Sequence, residues 1–444
     1  MRNIWRIPPG LALYIEKFKL FTPNASIVLA YSGITGLAFG VFRLLFNFYV
    51  LSLGGYDERF LGFLTSVSSL ASLAIALPAA YIADRYSHKG IMIVTGVISA
   101  ASFLGLVLLP YRFFLVLFNV IMGLAMSVRQ VATAPFLMNN TSAEERQYVF
   151  SFNFGLNTMA GFVGNWIGGM LPTWFSGLVA VLPTDTLAYQ LALGSMVLIS
   201  TLAVGPLFRI RERHASASGG TEMPWVQVWR YGRALLRYVT PQFIIGLGAG
   251  LMMPFMNLYY RNIFDRSDAA IGTLFALGSL TMAIAQFLGP PLADRIGKIN
   301  TTLLTQGLSV PFMLLLALAA WVVPGGTPHM ELWYLIAAVA YLFRLALMNF
   351  SNPIYQTFVL ENVQPELQAL SASLTSIAFQ FGWAFSPYLS GWFQATYGDF
   401  GFVPVILSTS VLYIIAIIVT WAFFRDAEKK ADAAGQGLHP AVGD

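Results

Sequence analysis

The chain has 444 residues, of which 57% are hydrophobic and only 10% are charged. Soluble proteins contain about a quarter charged residues, because charges cover the surface that faces water. The composition, with a mean hydropathy of +0.68, therefore excludes an ordinary soluble globular protein and predicts a surface that faces lipid. Because the chain has no cysteine, disulfides, thiolate metal sites and cysteine nucleophiles are excluded too.

Long apolar blocks predict twelve membrane-spanning helices, since a bilayer core of about 30 Å needs about 20 apolar residues per helical crossing. The blocks lie at 25–53, 60–82, 90–109, 112–137, 146–171, 186–208, 239–262, 268–292, 299–322, 331–360, 368–394 and 399–424. They are too long for the alternating strands of a β-barrel. The predicted fold class is therefore an all-α membrane protein.

The positive charges are distributed unevenly between the loops on the two sides of these spans. Eighteen of the 25 lysines and arginines fall on the side that holds both termini, and acids dominate the opposite loops. By the positive-inside rule, the basic side is cytoplasmic. We therefore expect a multi-pass protein of the inner (cytoplasmic) membrane with both termini inside. Topology accounts for the net charge of +5, so no nucleic-acid partner is expected.

The two halves of the chain match each other when the sequence is aligned with itself. At an offset of 210 residues, identical pairs include Gly36/Gly246, Gly40/Gly250, Asn47/Asn257, Tyr49/Tyr259, Gly62/Gly272, Ala83/Ala293, Asp84/Asp294 and Arg85/Arg295. At an offset of 222, they are Asn140/Asn362, Glu144/Glu366 and Gly169/Gly391. Two six-helix repeats follow, and an even number of spans per repeat makes them parallel.

The repeat also predicts the domain organisation. In chain order, we expect a cytoplasmic N-terminal segment (1–24), a first six-helix bundle (25–208), a cytoplasmic linker with an amphipathic helix (209–238), a second six-helix bundle (239–424) and a disordered cytoplasmic tail (425–444). In the linker, Arg230, Arg233 and Arg237 recur at helical spacing beside two tryptophans. That pattern is typical of a helix lying on a membrane surface.

Equivalent cytoplasmic loops of the two halves carry an Asp-Arg pair followed by a basic residue, at Asp84, Arg85 and Lys89 and again at 294–298. The repeated pattern resembles the loop signature of the major facilitator superfamily, and the resemblance covers 25–424. It implies a secondary transporter that works by rocker-switch alternating access.

Charged residues near these loops are expected to form a cytoplasmic gate whose ion pairs exchange between two states. The predicted gate residues are Asp84, Arg85, Lys89, Glu144, Arg146, Asp294, Arg295, Lys298 and Glu366. Two simpler interpretations stay open. The basic residues anchor the topology, and Glu144 and Glu366 stabilise helix N-termini.

Span 5 contains a cluster of small residues that resembles the G-P-x-x-G-G motif of exporters in this family. Its members are Gly161, Gly164, Asn165, Gly168 and Gly169, with Asn165 at the proline position. The resemblance favours export. Small residues at this spacing also allow two helices to approach closely, so packing is the alternative role.

Three arginines, Arg43, Arg129 and Arg344, lie within spans 1, 4 and 10. Charges inside spans are costly and are therefore expected to be functional, and the resemblance implies that these spans line a central cavity. No acid lies deep in a span, so arginine favours a carboxylate or phosphate cargo. The predicted substrate-binding residues are Arg43, Asn47, Arg129, Met253, Asn257 and Arg344. Hydrogen bonding to backbone for Arg43, and helix contacts for the two asparagines, remain alternatives.

These patterns predict a transporter that exports a small, anionic or amphipathic organic solute. No catalytic motif occurs in a suitable context, so we expect no enzyme activity, cofactor or metal. The expected partners are the solute and the bilayer, the protein is expected to be a monomer, and coupling to a proton or another ion is open. Two alternatives remain, a lipid flippase and uptake of a sugar or metabolite. The polar residues that support uptake are Gln130, Asn157, Asn349 and Gln356.

Overall fold

The computed structural model describes residues 21–141, 143–210, 224–363 and 368–435, which are helical over most of their length and contain no strand. The helices are α1 (Pro23–Ser52), α2 (Glu58–Arg85), α3 (His88–Leu108), α4 (Arg112–Asn139), α5 (Ala143–Val179), α6 (Thr186–Val204), α7 (Pro224–Met252), α8 (Met256–Phe264), α9 (Asp268–Ile296), α10 (Lys298–Val322), α11 (Met330–Phe350), α12 (Asn352–Glu361), α13 (Gln368–Tyr397) and α14 (Phe402–Gly435). Short 3₁₀ helices follow α6, α7 and α13. Each predicted span coincides with one or two of these helices.

By length and composition, ten stretches of the described residues are helical and apolar enough to cross a membrane. One of them, Leu370–Arg425, contains both α13 and α14. α5 has 37 residues and covers the fifth predicted span. The predicted all-α membrane fold is confirmed.

Two spans of the second half are interrupted close to a proline. A 3₁₀ turn at Met253–Phe255 separates α7 from α8 and contains Pro254, while Pro353 lies in the first turn of α12, just after the break from α11. Proline lacks an N–H and cannot complete the helical hydrogen-bond ladder. In the first half, Leu44 and Val131 occupy the equivalent positions, and α1 and α4 are continuous.

The helix predicted in the linker is continuous with the seventh span, because α7 begins at Pro224 and runs to Met252. The side chains of Arg230 and Arg233 lie outside the described part of the chain. At the other end of the second half, α14 continues past the last span to Gly435.

Equivalent tyrosines brace the first helix of each half against the third. The hydroxyl of Tyr49 donates to the carbonyl oxygens of Leu106 (3.2 Å) and Val107 (2.9 Å). The hydroxyl of Tyr259 donates to the carbonyl oxygen of Leu316 at 2.8 Å. Because Leu106 and Leu316 also stand 210 residues apart, the same hydrogen bond is built twice.

The asparagines that match at the second offset close equivalent helix ends. The side-chain amide of Asn140 donates to the carbonyl oxygen of Phe136 at 2.9 Å, at the end of α4. Asn362 donates to Phe358 at 2.9 Å, at the end of α12. The backbone N–H of each asparagine donates to the same carbonyl, at 3.1 Å for Asn140 and 3.2 Å for Asn362, so each carbonyl accepts two hydrogen bonds from one residue at the helix end.

Contacts divide the chain into two compact units. The described residues of unit 1 come from Met1–Gly55, Leu70–Gly219 and Ser267–Ala276, and those of unit 2 come from Tyr56–Ser69, Gly220–Arg266 and Leu277–Asp444. Each unit therefore includes the first turns of one long helix from the other half of the sequence. Each also has its own apolar core, in which Phe136 and Leu137 of unit 1 are equivalent to Phe358 and Val359 of unit 2.

Candidate functional site

A cavity of about 410 Å³ lies in unit 1 between α1, α4 and α5. Small-molecule sites typically occupy about 300–1,000 Å³. We call it the Arg129 cavity, and its lining residues are Tyr31, Ser32, Thr35, Gly36, Phe39, Met126, Arg129, Gln130, Thr133, Leu137, Asn153 and Asn157. Arg129 is the one charged side chain in this lining.

The guanidinium of Arg129 is half-buried and has few partners. Its Nη1 donates a long hydrogen bond of 3.4 Å to the hydroxyl of Tyr31, and its Cζ lies 5.9 Å from the centre of the Tyr31 ring. Tyr31 is only 3% exposed, so it restricts where the guanidinium can lie. A guanidinium has five N–H donors, and Arg129 makes no other hydrogen bond or ion pair with a described residue. Its charge and most of its donors are therefore available to a ligand.

Several polar groups around Arg129 are also available. The hydroxyl of Ser32 and the exposed amide of Gln130 donate no hydrogen bond to any described residue. The amide nitrogen of Asn157 donates to the carbonyl oxygen of Asn153 at 2.8 Å, which leaves the carbonyl oxygen of the Asn157 side chain as a free acceptor. The cavity therefore combines one cation with neutral hydrogen-bonding groups.

Glycines of α1 bring this helix close enough to α5 to form the cavity wall. A Cβ atom at Gly36 would lie 3.2 Å from the Cβ of Ala160, and one at Gly40 would lie 3.3 Å from the Cα of Gly164. A larger residue at either position would push the helices apart. The glycines of span 1 that recur in the repeat thus pack α1 against α5 and place Asn157 beside α1.

Arg344 has a different environment from Arg129. It is 2% exposed and lies in the interior of unit 2. Its Nη2 donates to the hydroxyl of Tyr413 at 2.8 Å, and its Nη1 lies 2.8 Å from the sulfur of Met253, at the 3₁₀ turn between α7 and α8. Its Nε has no hydrogen-bond partner among the residues that the structure describes. Arg344 and Met253 are therefore brought together, and neither is among the residues that line the Arg129 cavity.

The other predicted binding residues do not line the Arg129 cavity. Arg43 is exposed and makes no hydrogen bond or ion pair with a residue that the structure describes. Asn47 is 8% exposed and Asn257 is 2% exposed. The side-chain oxygen of Asn257 accepts a hydrogen bond from the backbone N–H of Leu258 at 3.0 Å.

A second cavity of about 280 Å³, the Gln356 cavity, lies in unit 2 between α7, α12 and α13. Its lining residues are Gln242, Asn352, Tyr355, Gln356, Val359, Leu360, Ala372, Thr375, Ser376 and Phe379. At the offset of 222 residues, Asn352 is equivalent to Gln130 and Ser351 to Arg129. The two halves therefore form equivalent polar cavities, and the lining of the second one carries no charge.

Two of the predicted gate lysines have identified partners. The Nζ of Lys89 donates to the carbonyl oxygens of Phe208 (3.0 Å) and Ile210 (2.8 Å), at the end of the 3₁₀ helix after α6. Lys298 forms an ion pair with Glu361, at the end of α12. Glu361 was not among the predicted gate residues.

The remaining gate residues are less closely defined. Arg85, Asp294 and Arg295 are exposed at the ends of α2 and α9. The side chains of Asp84, Glu144 and Arg146, and the whole of Glu366, lie outside the described part of the chain.

The small residues of span 5 contact two different helices. Gly164 and Gly168 face α1, because Cβ atoms there would lie 2.6 Å from the carbonyl oxygen of Leu37 and 3.1 Å from the Cα of Val41. A Cβ at Gly40 would lie 3.6 Å from the carbonyl oxygen of Gly161, which lies on the same side.

Asn165 and Gly169 face the first turns of α9. A Cβ at Gly272 would lie 2.9 Å from the Cα of Gly169 and would collide with the carbonyl oxygen of Asn165. Unit 2 has the equivalent arrangement, in which a Cβ at Gly62 would collide with the carbonyl oxygen of Pro387. The motif is therefore a packing surface on both sides of α5.

Sequence analysis missed several polar residues. Tyr31 and Asn153 line the Arg129 cavity, but an aromatic or amide residue in an apolar span gives no signal on its own. Asp268, at the start of the eighth predicted span, is the first residue of α9, and it is 5% exposed. Its Oδ2 accepts a hydrogen bond of 3.0 Å from the hydroxyl of Tyr189. Burial by a distant helix cannot be seen from the local sequence.

The helices, the repeated contacts and the two equivalent cavities can be compared with known families. The family profile of the Major Facilitator Superfamily matches residues 28–387 and 242–441. The chain belongs to the major facilitator superfamily. No curated protein sequence matches it, so the assignment of this superfamily member rests on the family profile and on structure.

Solved structures of transporters have the same fold as this superfamily member. A bacterial homolog of the human lysosomal transporter Spinster, inward-facing and occupied, superposes with a TM-score of 0.73 at 14% identity, over 91% of this chain and 97% of that one. The nucleoside transporter NupG superposes with a TM-score of 0.71 at 12% identity, over 90% of this chain and 98% of that one. A D-xylose–proton symporter superposes with a TM-score of 0.70 at 14% identity, over 90% of this chain and 97% of that one. At these identities the likeness concerns the fold.

Proposed function

We propose that this protein is a secondary active transporter that moves a small organic anion across the cytoplasmic membrane by alternating access. The observation that carries the proposal is the guanidinium of Arg129, which stands in a cavity among membrane-spanning helices with one long hydrogen bond and no carboxylate partner among the described residues.

The energetic argument concerns the cost of an unpaired charge. A charged group in the membrane interior is stable only when water or an opposite charge solvates it. The Arg129 cavity gives water access in the empty state, and an anionic cargo replaces that water. Guanidinium binds carboxylate or phosphate through two parallel hydrogen bonds, and Arg129 has the free donors for such a pair.

The proposed binding set keeps the residues predicted from the sequence, with distinct roles. Arg129 binds the anion, and the exposed and unpaired Arg43 attracts it along the pathway. Asn47, Met253, Asn257 and Arg344 belong to the same set, and their contribution is tested separately because three of them are almost fully buried.

We propose that the protein exports its cargo. We also propose that the predicted gate residues of the two halves together close the cytoplasmic side. The support for export is the resemblance of the small-residue motif of α5 to the exporter motif of this family, with Asn165 at the proline position. The support for the gate is the Asp-Arg pattern repeated in both halves, together with the ion pair of Lys298 and Glu361. Uptake of a sugar or metabolite is the second candidate. It is favoured by Gln130, Asn157 and Gln356, which line the two cavities.

The proposal is tested with purified protein in proteoliposomes, by measuring the flux of radiolabelled organic anions. Arg129→Ala is expected to abolish saturable flux, and Arg129→Lys is expected to restore part of it, since lysine keeps the charge without the paired donors. Thr357→Val, at an exposed position of α12 outside both cavity linings, is the control for folding and insertion. Wild-type flux in Arg129→Ala would contradict the proposal. Flux of lipid but not of any soluble anion would indicate a flippase.

The direction is tested with vesicles of defined orientation. Export predicts that inside-out vesicles accumulate the anion, while right-side-out vesicles do not accumulate it under the same gradient. Accumulation confined to right-side-out vesicles would identify an uptake carrier. Repeating the experiment with a proton gradient, and then with sodium or chloride gradients, identifies the coupling ion.

A further inference from the structure

Two thirds of the residues that line the Arg129 cavity carry a polar side-chain group, and this narrows the class of solute. Eight of its side chains carry a hydroxyl, amide or guanidinium group, whereas Phe39, Met126 and Leu137 are the apolar ones. A cavity for a fatty acid or another amphipathic anion needs apolar walls, because the favourable term for such a ligand is burial of its apolar surface.

The hydroxyl groups of Thr35 and Thr133 donate to carbonyls of their own helices, but other polar groups of the lining have no hydrogen-bond partner among the described residues. Ser32 and Gln130 donate no hydrogen bond to a described residue, and Asn153 keeps its side-chain amide donors, since Asn157 is the donor of the pair. A ligand that lacked hydroxyl groups would displace water from these groups without replacing its hydrogen bonds. Such a mismatch is costly.

Comparison of the two cavities separates the roles of the charge and the neutral groups. Neutral polar residues occur at equivalent positions of both cavities, at Gln130/Asn352 and at Ser32/Gln242. A positively charged residue lines only one of the two cavities, because the residue equivalent to Arg129 in the second half is Ser351. The charge is therefore an addition, in one cavity, to neutral polar positions that the two halves share.

We infer that the cargo of the Arg129 cavity is a hydroxylated organic anion of the sugar-acid or sugar-phosphate type. Its carboxylate or phosphate pairs with Arg129, and its hydroxyl groups pair with Ser32, Gln130, Asn153 and Asn157. Tyr31 positions the guanidinium from the wall. This inference rests on the proposed function and names the solute class of the same site.

The test measures binding separately from transport, by calorimetry on the full-length protein in lipid nanodiscs. The probes are gluconate, glucose 6-phosphate, hexanoate and glucose, which supply a hydroxylated carboxylate, a hydroxylated phosphate, an anion without hydroxyls and a neutral sugar. We expect gluconate or glucose 6-phosphate to bind at least about tenfold more tightly than hexanoate and glucose, since unpaired polar groups in a site discriminate strongly. Which of the two binds better distinguishes carboxylate from phosphate.

Variants assign the binding to named groups. Arg129→Gln is expected to reduce the affinity for the hydroxylated anion to that for glucose. Gln130→Leu is expected to weaken binding of the hydroxylated anion by about tenfold and to leave the affinity for hexanoate unchanged. Asn352→Leu, at the equivalent position in the Gln356 cavity, is the control and is expected to leave all four affinities unchanged.

The outcomes distinguish this inference from the proposed function. If hexanoate binds as tightly as the hydroxylated anions and depends on Arg129, the hydroxyl inference is wrong while the proposed anion transport stands. If glucose alone binds and Arg129→Gln has no effect, anion transport is wrong as well, and sugar uptake replaces it. If neither hydroxylated anion binds more tightly than glucose, the inference is overturned.

Discussion

Arg344 donates a 2.8 Å hydrogen bond from Nη2 to the hydroxyl of Tyr413, and neither side chain has more than 2% of its surface exposed. The other nearby acceptor is the sulfur of Met253, and the Nε is unsatisfied. A buried arginine with such weak acceptors costs free energy. The tyrosine hydroxyl is therefore an important part of what stabilises it.

Removing that hydroxyl is expected to destabilise unit 2. Tyr413→Phe should lower the free energy of unfolding by about 1–3 kcal/mol, because it leaves a buried guanidinium donor without its best acceptor. The measurement is the melting temperature in nanodiscs, with anion affinity determined on the folded variant. An unchanged affinity would assign Arg344 to structure. A large loss of affinity in the folded variant would place Arg344 in the substrate site, as the sequence predicts.

The close contact between Gly272 and α5 predicts that alanine at this position lowers the stability of the protein. Gly272→Ala should destabilise the protein by about 1–3 kcal/mol, because the new methyl group collides with the backbone at Asn165 and Gly169. In Gly307→Ala, on α10, the methyl group meets nothing within 4 Å, and this control should be stabilised by about 0.5–1 kcal/mol. Melting temperatures of the two variants test this, and equal shifts would contradict it.

The equivalent tyrosine hydrogen bonds predict equivalent losses of stability. Tyr49→Phe and Tyr259→Phe should each cost about 0.5–1.5 kcal/mol, the usual net contribution of one hydrogen bond. Since the two tyrosines lie in different units, the double variant should show the sum of the single effects. Chemical unfolding of the three variants measures this. A loss confined to one of them would mean that the repeat is not energetically symmetric.

A variant of the ion pair between Lys298 and Glu361 distinguishes a role in the cytoplasmic gate from a purely structural role. Both side chains are partly exposed, so Glu361→Gln should change stability by no more than about 1 kcal/mol. If the pair belongs to the gate, the same variant should change the flux in proteoliposomes by severalfold while substrate affinity stays constant. Glu331→Gln, which removes the exposed partner of Arg266, is the control. Equal flux in wild type and both variants would leave Lys298 an anchor of topology.

Much of the architecture could be predicted because lipid restricts the available folds. Backbone groups in a bilayer core must form hydrogen bonds within their own segment, so long apolar blocks had to be helices. Positive charge in the loops predicts the orientation, and repeated residues such as Tyr49/Tyr259 and Asn140/Asn362 indicate two copies of one structural unit. The two residues of each pair are identical, and each makes the same hydrogen bond in its own half.

The site was only partly predictable, because one-dimensional spacing does not show which partners a charge acquires. Arg43, Arg129 and Arg344 are equivalent in the sequence as isolated cations within apolar spans. Packing separates them: Arg344 is buried against Tyr413 and Met253, Arg43 is exposed, and Arg129 faces a cavity with free donors.

Composition and repetition thus determined that this protein is a membrane-embedded bundle with two related halves, because solvation by lipid acts on every residue locally. Only the tertiary structure decided which arginine is open to a ligand and which neutral groups surround it. Those contacts join α1 to α4 and α5; Tyr31 and Arg129, for example, are 98 positions apart in the chain. The glycines of α1 and α5 set how closely these two helices approach.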